Sequence, residues 1–133
     1  MAGCGKEEVE LSPKITNLIG KWRLTEPSSA YGITLEFTYD SANPPHDVTP
    51  FLVNGMSSVN DYNIRFFAAI DGMMTTSNLS STKKGGSTDA MQFEQTYFEN
   101  LRAVVRYELP TDNQLRIYHG GSEPHLLIYE RVK

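Results

Sequence analysis

The chain has 133 residues, 39% of them hydrophobic and 21% charged, enough for one domain with its own core and too apolar for wholesale disorder. Its net charge of −4 argues against a nucleic-acid partner, because such proteins present a basic face. The longest unbroken apolar run, Phe66-Phe-Ala-Ala-Ile70, is too short to cross a bilayer as a helix.

A single cysteine, Cys4, excludes an intramolecular disulfide. Met-Ala-Gly-Cys4 resembles the end of a bacterial lipobox, which implies lipidation at Cys4 and a chain that starts just before the cleavage point. Gly5-Lys6-Glu7-Glu8 is similar to the surface-export signal of Bacteroidetes lipoproteins. Residues 1–14, with Pro13 and little periodicity, are expected to form a tether, leaving 15–133 as the folded domain.

From there the dominant period is two, the signature of half-buried strands. Leu18, Gly20, Trp22 and Leu24 alternate with polar or exposed positions, and Ile33, Leu35, Phe37 and Tyr39 do so more cleanly. Pro27-Ser-Ser separates these two strands as a turn, and Ser41 to His46 forms a longer loop because consecutive prolines cannot donate to a ladder. A short strand is expected over Thr49 to Val53, ended by a turn at Asn54-Gly55. Tyr62, Ile64, Phe66, Ala68 and Ile70 then share a face up to the hairpin dipeptide Asp71-Gly72. Met73 to Ser80 returns as a polar strand.

The period then changes. Ala90, Phe93, Tyr97, Leu101 and Val104 recur at three and four, with Phe98 beside them, predicting an amphipathic helix over about 88–101. Ser87 or Thr88 supplies its cap, and Asp89 suits the positive end of its dipole. Strands over Ala103 to Leu109, Leu115 to His119 and Leu126 to Val132 complete the chain. One helix among about eight strands implies an α+β fold, an antiparallel sheet curled against that helix. Trp22, Phe37, Phe66, Phe93 and Tyr97 are expected to fill its core.

Catalytic chemistry finds little footing in the sequence. Tyr118-His-Gly-Gly-Ser122 shares letters with the esterase oxyanion motif, but that motif needs a parallel α/β sheet and a Gly-x-Ser-x-Gly elbow. A hairpin turn is the simpler reading. His46, His119 and His125 lack metal-ligand spacing, although His119 and His125 can face each other across Gly120-Gly121 as a two-ligand site. No metal and no cofactor are expected. Lys83-Lys84-Gly85-Gly86-Ser87-Thr88 reads as a solvated loop before an ordinary cap, and Glu94 and Glu99, five apart, diverge on the helix.

Several of these segments, taken in order, resemble the META domain of the bacterial heat-shock lipoprotein HslJ and its relatives. They are Leu18-Ile-Gly20-Lys-Trp22, Gly55 to Tyr62, Leu79-Ser-Ser-Thr82, the helix with Glu94, Phe98 and Leu101, and Leu126 to Arg131. The resemblance implies a strongly curved, partly open barrel packed on one helix. It assigns structural roles to Gly20, Trp22, Gly55, Asn60, Tyr62, Thr82, Glu94 and Leu101. Glu94 takes the place of the family's helix glutamate and is expected to bond to the Ser80–Thr82 turn, while Asn60 and Tyr62 match its Asn-x-Tyr pattern. Cysteines common in relatives are replaced by Val59 and by Lys84 or Gly85, which removes any redox role.

The resulting expectation is a non-enzymatic, monomeric lipoprotein of the bacterial outer membrane, on its periplasmic face or at the cell surface. Such a protein would bind an envelope protein or a hydrophobic ligand, in envelope stress or outer-membrane assembly. Phe51, Leu52, Met56, Met73 and Met74 are the candidate binding residues, because methionine adapts to varied partners. A carbohydrate-binding module is the alternative, with Tyr31, Tyr39 or Tyr129 as a flat platform. A small hydrolase is a third.

Overall fold

The computed structural model describes residues 12–42, 48–123 and 125–133. Cys4, most of the expected tether and His46 lie outside the described residues. Ser12 caps a helical turn, α1 (Pro13–Thr16), with its side chain accepting from Lys14 N. Pro13 suits that first position, where no N–H is needed. The strands are β1 (Gly20–Glu26), β2 (Thr34–Tyr39), β3 (Thr49–Met56), β4 (Asp61–Ala68) and β5 (Met74–Ser81). Helix α2 (Thr88–Arg102) follows, then β6 (Val104–Thr111), β7 (Gln114–His119) and β8 (Leu126–Arg131).

All eight strands form one sheet in the order β5-β4-β3-β2-β1-β8-β7-β6, antiparallel throughout. The sheet curls far enough for its two edges to meet at one end. Met73 bridges to Arg106, Tyr107 N donates to Gly72 O at 2.9 Å, and the Tyr107 hydroxyl donates to Ala69 O at 3.0 Å. Further along, the edge strand β5 meets α2 instead, with the Thr76 hydroxyl donating to Leu101 O at 2.6 Å.

Alternation fixes which side chains enter the curl. Trp22 and Leu24, Leu35 and Phe37, Phe51 and Val53, and Ile64 and Phe66 all point inward with almost no exposure. Phe37 meets Phe51 and Phe66 edge-on at 5.5 and 5.1 Å. Ile15 and Leu18, expected before or at the start of a strand, instead join this core from α1 and the turn after it. The Arg131 guanidinium locks that segment down. It stacks over Trp22 at 4.2 Å and donates to Asn17 O and Ile19 O, while Trp22 Nε1 donates to Leu18 O.

Three expectations need correction. Asn54-Gly55 is no turn: β3 runs on to Met56, and the chain reverses over 57–60, with Ser57 N donating to Asn60 O at 2.8 Å. Ile70 lies past the end of β4 in the hairpin turn and is 59% exposed, so it does not share the inward face. Phe93 is half-buried against Tyr31, at 4.9 Å between rings, and Phe98 takes the core position.

Glycine at 55 is a matter of space, since its backbone is extended within β3. A Cβ there would collide with Thr34 O and come within 2.8 Å of the Tyr62 hydroxyl. Gly55→Ala is therefore expected to lower stability by about 2 kcal/mol or more. Urea unfolding measures this, and an unchanged midpoint would show that β2 and Tyr62 yield freely.

Candidate functional site

The polar motif residues Asn60, Thr82 and Glu94 gather where the β3–β4 turn meets α2. Asn60 is at their centre, 5% exposed, and every hydrogen-bonding capacity of its side chain is used. Its Oδ1 accepts from the Thr82 hydroxyl at 2.8 Å and from Lys84 N at 2.6 Å. Its Nδ2 donates to Glu94 Oε2 at 2.7 Å and to Lys84 O at 3.3 Å. Glu94, reaching in from α2, also accepts at Oε1 from Asn60 N at 2.7 Å and Val59 N at 3.2 Å. Thr82 closes the circuit by accepting from Asp61 N.

Glu94 thus bonds to the β3–β4 turn, not to the expected 80–82 segment. The reason is that Asn60 stands between them and holds Thr82 itself. Around this hub the Ser58 hydroxyl donates to Ala90 O, and Ser87 accepts from Ala90 N as the helix cap. Val59 lies against Gly86, where an added Cβ would come within 3.0 Å of its methyl.

A second polar element crosses the inside of the curl. Tyr62, on β4, donates to Thr34 O at 2.9 Å. Its hydroxyl lies 2.8 Å from that of Tyr97 on α2, which lies 2.8 Å from that of Tyr129 on β8. Each hydroxyl has one proton. Because Tyr62 spends its proton on Thr34, Tyr97 must donate to Tyr62 and Tyr129 to Tyr97. The chain is therefore directional and ends on a carbonyl. Burial, reinforced by the neighbouring phenols, pushes all three well above the ordinary tyrosine value of 10.0. They are neutral hydrogen-bonding groups, unsuited to serve as general bases near neutral pH.

The Tyr118–Ser122 segment is more than a hairpin turn, because it docks onto the end of α2. Asn100 Oδ1 accepts from Ser122 N at 3.1 Å and from its hydroxyl at 3.3 Å, and Gly120 N donates to Ala103 O. Gly121 passes so close to Asn100 Oδ1 that no Cβ fits there. His119 and His125 do face each other, 6.1 Å between rings. Yet His119 Nδ1 accepts from Gly121 N, so its proton sits on Nε2 and neither nitrogen offers a free lone pair to a metal. Burial, and then the nearby His125, hold its pKa below the usual 6.5, so it is neutral. Among the described residues no cluster of three or more metal-ligating side chains exists. Asn100, which holds Ser122 to the helix, is the position that periodicity missed, since an asparagine inside a helix carries no spacing signal.

The candidate binding residues divide by burial. Phe51 and Met74 are fully buried and belong to the core, because both sit at inward positions of their strands. Leu52, Met56 and Met73 are 43%, 57% and 59% exposed. Of the three platform tyrosines only Tyr31 is exposed, at 36%. Tyr129 is interior, Tyr39 packs edge-on to Phe51, and Tyr31 leans on Phe93. Of the remaining motif residues, Gly20 opens β1 beside Arg131, and Leu101 is fully buried under β5.

A family model, that of the META domain, matches residues 16–131. No curated protein matches the chain. Among solved structures, the NMR structure of a protein from Burkholderia xenovorans is similar over 99% of both chains, with a TM-score of 0.62 and 17% identity. At that identity the likeness is one of fold alone.

Two substitution experiments test these networks. Asn60→Ala strips Glu94 Oε2, Thr82 and Lys84 N of their partner and is expected to destabilise by about 2–4 kcal/mol. A melting temperature equal to the parent's would overturn the hub. Tyr97→Phe strands the buried Tyr129 hydroxyl proton and should destabilise by about 1–3 kcal/mol. Tyr129→Phe strands no donor and should lose about 1 kcal/mol or less. Denaturant curves showing the reverse order would disprove the direction of the chain.

Proposed function

The chain belongs to the META domain family, and from that premise we propose that it is a non-enzymatic, lipid-anchored protein of the bacterial outer membrane, acting in envelope stress or outer-membrane assembly. Cys4 is its anchor, and acyl chains there contribute ~0.8 kcal/mol per buried CH₂. The domain binds a protein partner or a hydrophobic ligand, and its surface favours the partner.

The observation that carries this reading is the seam where the sheet edges meet. An open groove of about 620 Å³ runs along it, flanked by Ile70 and Met73, both 59% exposed. Lys14, Arg106 and Arg116 border the same groove beside Asp71 and Glu108. An apolar strip with a mixed polar rim has the anatomy of a partner contact. The motif residues support the non-enzymatic part, because Asn60, Glu94 and Tyr62 are committed to bonds within the fold.

Native mass spectrometry of the protein drawn from its own membrane tests both halves. An acyl mass on Cys4 and a stoichiometric companion protein are expected. Ile70→Glu with Met73→Glu should remove that companion while leaving the melting temperature unchanged, as both side chains are exposed. An unmodified Cys4 would sink the anchor, and a companion retained by the double variant would sink the seam as its contact.

A further inference from the structure

A smaller pocket, about 110 Å³, opens between α2 and the β7–β8 loop. Phe93, Leu126 and Leu127 give it apolar walls, and His119 and Asn100 also line it. These two polar side chains are 4% and 6% exposed. Each carries a donor that no described residue accepts. Asn100 spends Oδ1 on Ser122, which fixes the orientation of its amide and leaves Nδ2 without a partner among the described residues. His119 spends Nδ1 on Gly121 N, so Nε2 carries the proton, and that proton also has no acceptor among the described residues. Neither nitrogen is sealed inside the protein. Donors held at so buried a position are unfavourable unless something accepts from them.

We propose that this pocket binds a small, uncharged, mostly apolar molecule through one acceptor oxygen, a carbonyl of the ketone, ester or amide kind, held by Asn100 Nδ2 and His119 Nε2. The walls select an apolar body. The charge is excluded by Glu123, the one charged side chain in the lining, which repels a carboxylate that a neutral His119 cannot offset. Size follows from volume: a cavity of roughly 150 Å³ holds the six heavy atoms of benzene, so this pocket of about 110 Å³ encloses about four or five, and a larger ring protrudes through its open mouth. The site depends on neither the lipid anchor nor the partner contact at the seam, and its failure leaves both standing.

The test titrates the ¹⁵N-labelled full chain with cyclohexanone and, separately, with methylenecyclohexane, which has the same shape and no acceptor. Cyclohexanone is expected to shift the Asn100 side-chain amide and Ser122 N–H, and to bind about twentyfold tighter than its analogue, the equivalent of two hydrogen bonds. Asn100→Asp keeps the acceptor for Ser122 but removes the Nδ2 donor, and should cut the advantage of cyclohexanone to about fivefold, that of the one bond left from His119 Nε2. Thr96→Phe, which fills the pocket from α2, should abolish the shifts for both probes. Absence of shifts up to the solubility of cyclohexanone would overturn the proposal. So would equal affinity of the two probes, which would mark a plain apolar crevice, or shifts that survive Thr96→Phe.

Discussion

The fold depends on a buried carboxylate that forms no ion pair among the described residues. Glu94 is stabilised by three N–H donors, two from the backbone of the β3–β4 turn and one from Asn60. Such donors satisfy a carboxylate without the desolvation of a second charge, which is where buried ion pairs lose their gain. The consequence is geometric. Asn60 joins the turn to α2 through Glu94, and joins both to the β5–α2 loop through Thr82 and Lys84. Three segments far apart in sequence are thereby held at one point.

That point decides where the helix lies, and the helix decides how the sheet curls. In the sheet order three strands separate β4 from β8. In a flat sheet the two would stand about 19 Å apart. Yet Tyr97 reaches hydroxyls on both at once. Only a tightly curled sheet permits this, and a single buried hydroxyl chain then rewards that curvature and no other. Gly55 contributes at the same place by leaving room for Tyr62 beside β2. Arg131 and Trp22 secure the segment after α1, and the edges are sealed where Met73 meets Arg106.

Much of this was legible in the residues. Alternation marked the strands from Trp22 through Phe66, and the change of period marked α2 to within a residue at its end. The errors have physical causes. Asn54-Gly55 carries the composition of a turn, but glycine also serves where backbone and side chain press together, and the letters do not distinguish the two uses. Phe51 and Met74 were grouped with exposed neighbours because a one-residue difference in phase along a strand reverses the face. The role of Asn100 was invisible, since its partner Ser122 lies 22 residues away.

By itself, then, the sequence determined the inventory: which segments are strands, which is the helix, which residues are polar where a core would prefer none, and the family to which that order belongs. Local periodicity and turn chemistry act over a few residues, and so can be read along the chain. Only the tertiary structure decided what the polar residues do. Whether Glu94 meets Asn60 or Thr82, whether three tyrosines form a line, and whether Asn100 and His119 line one pocket depend on contacts between distant segments. Those contacts are set by the curl of the sheet around α2, a property of all eight strands together.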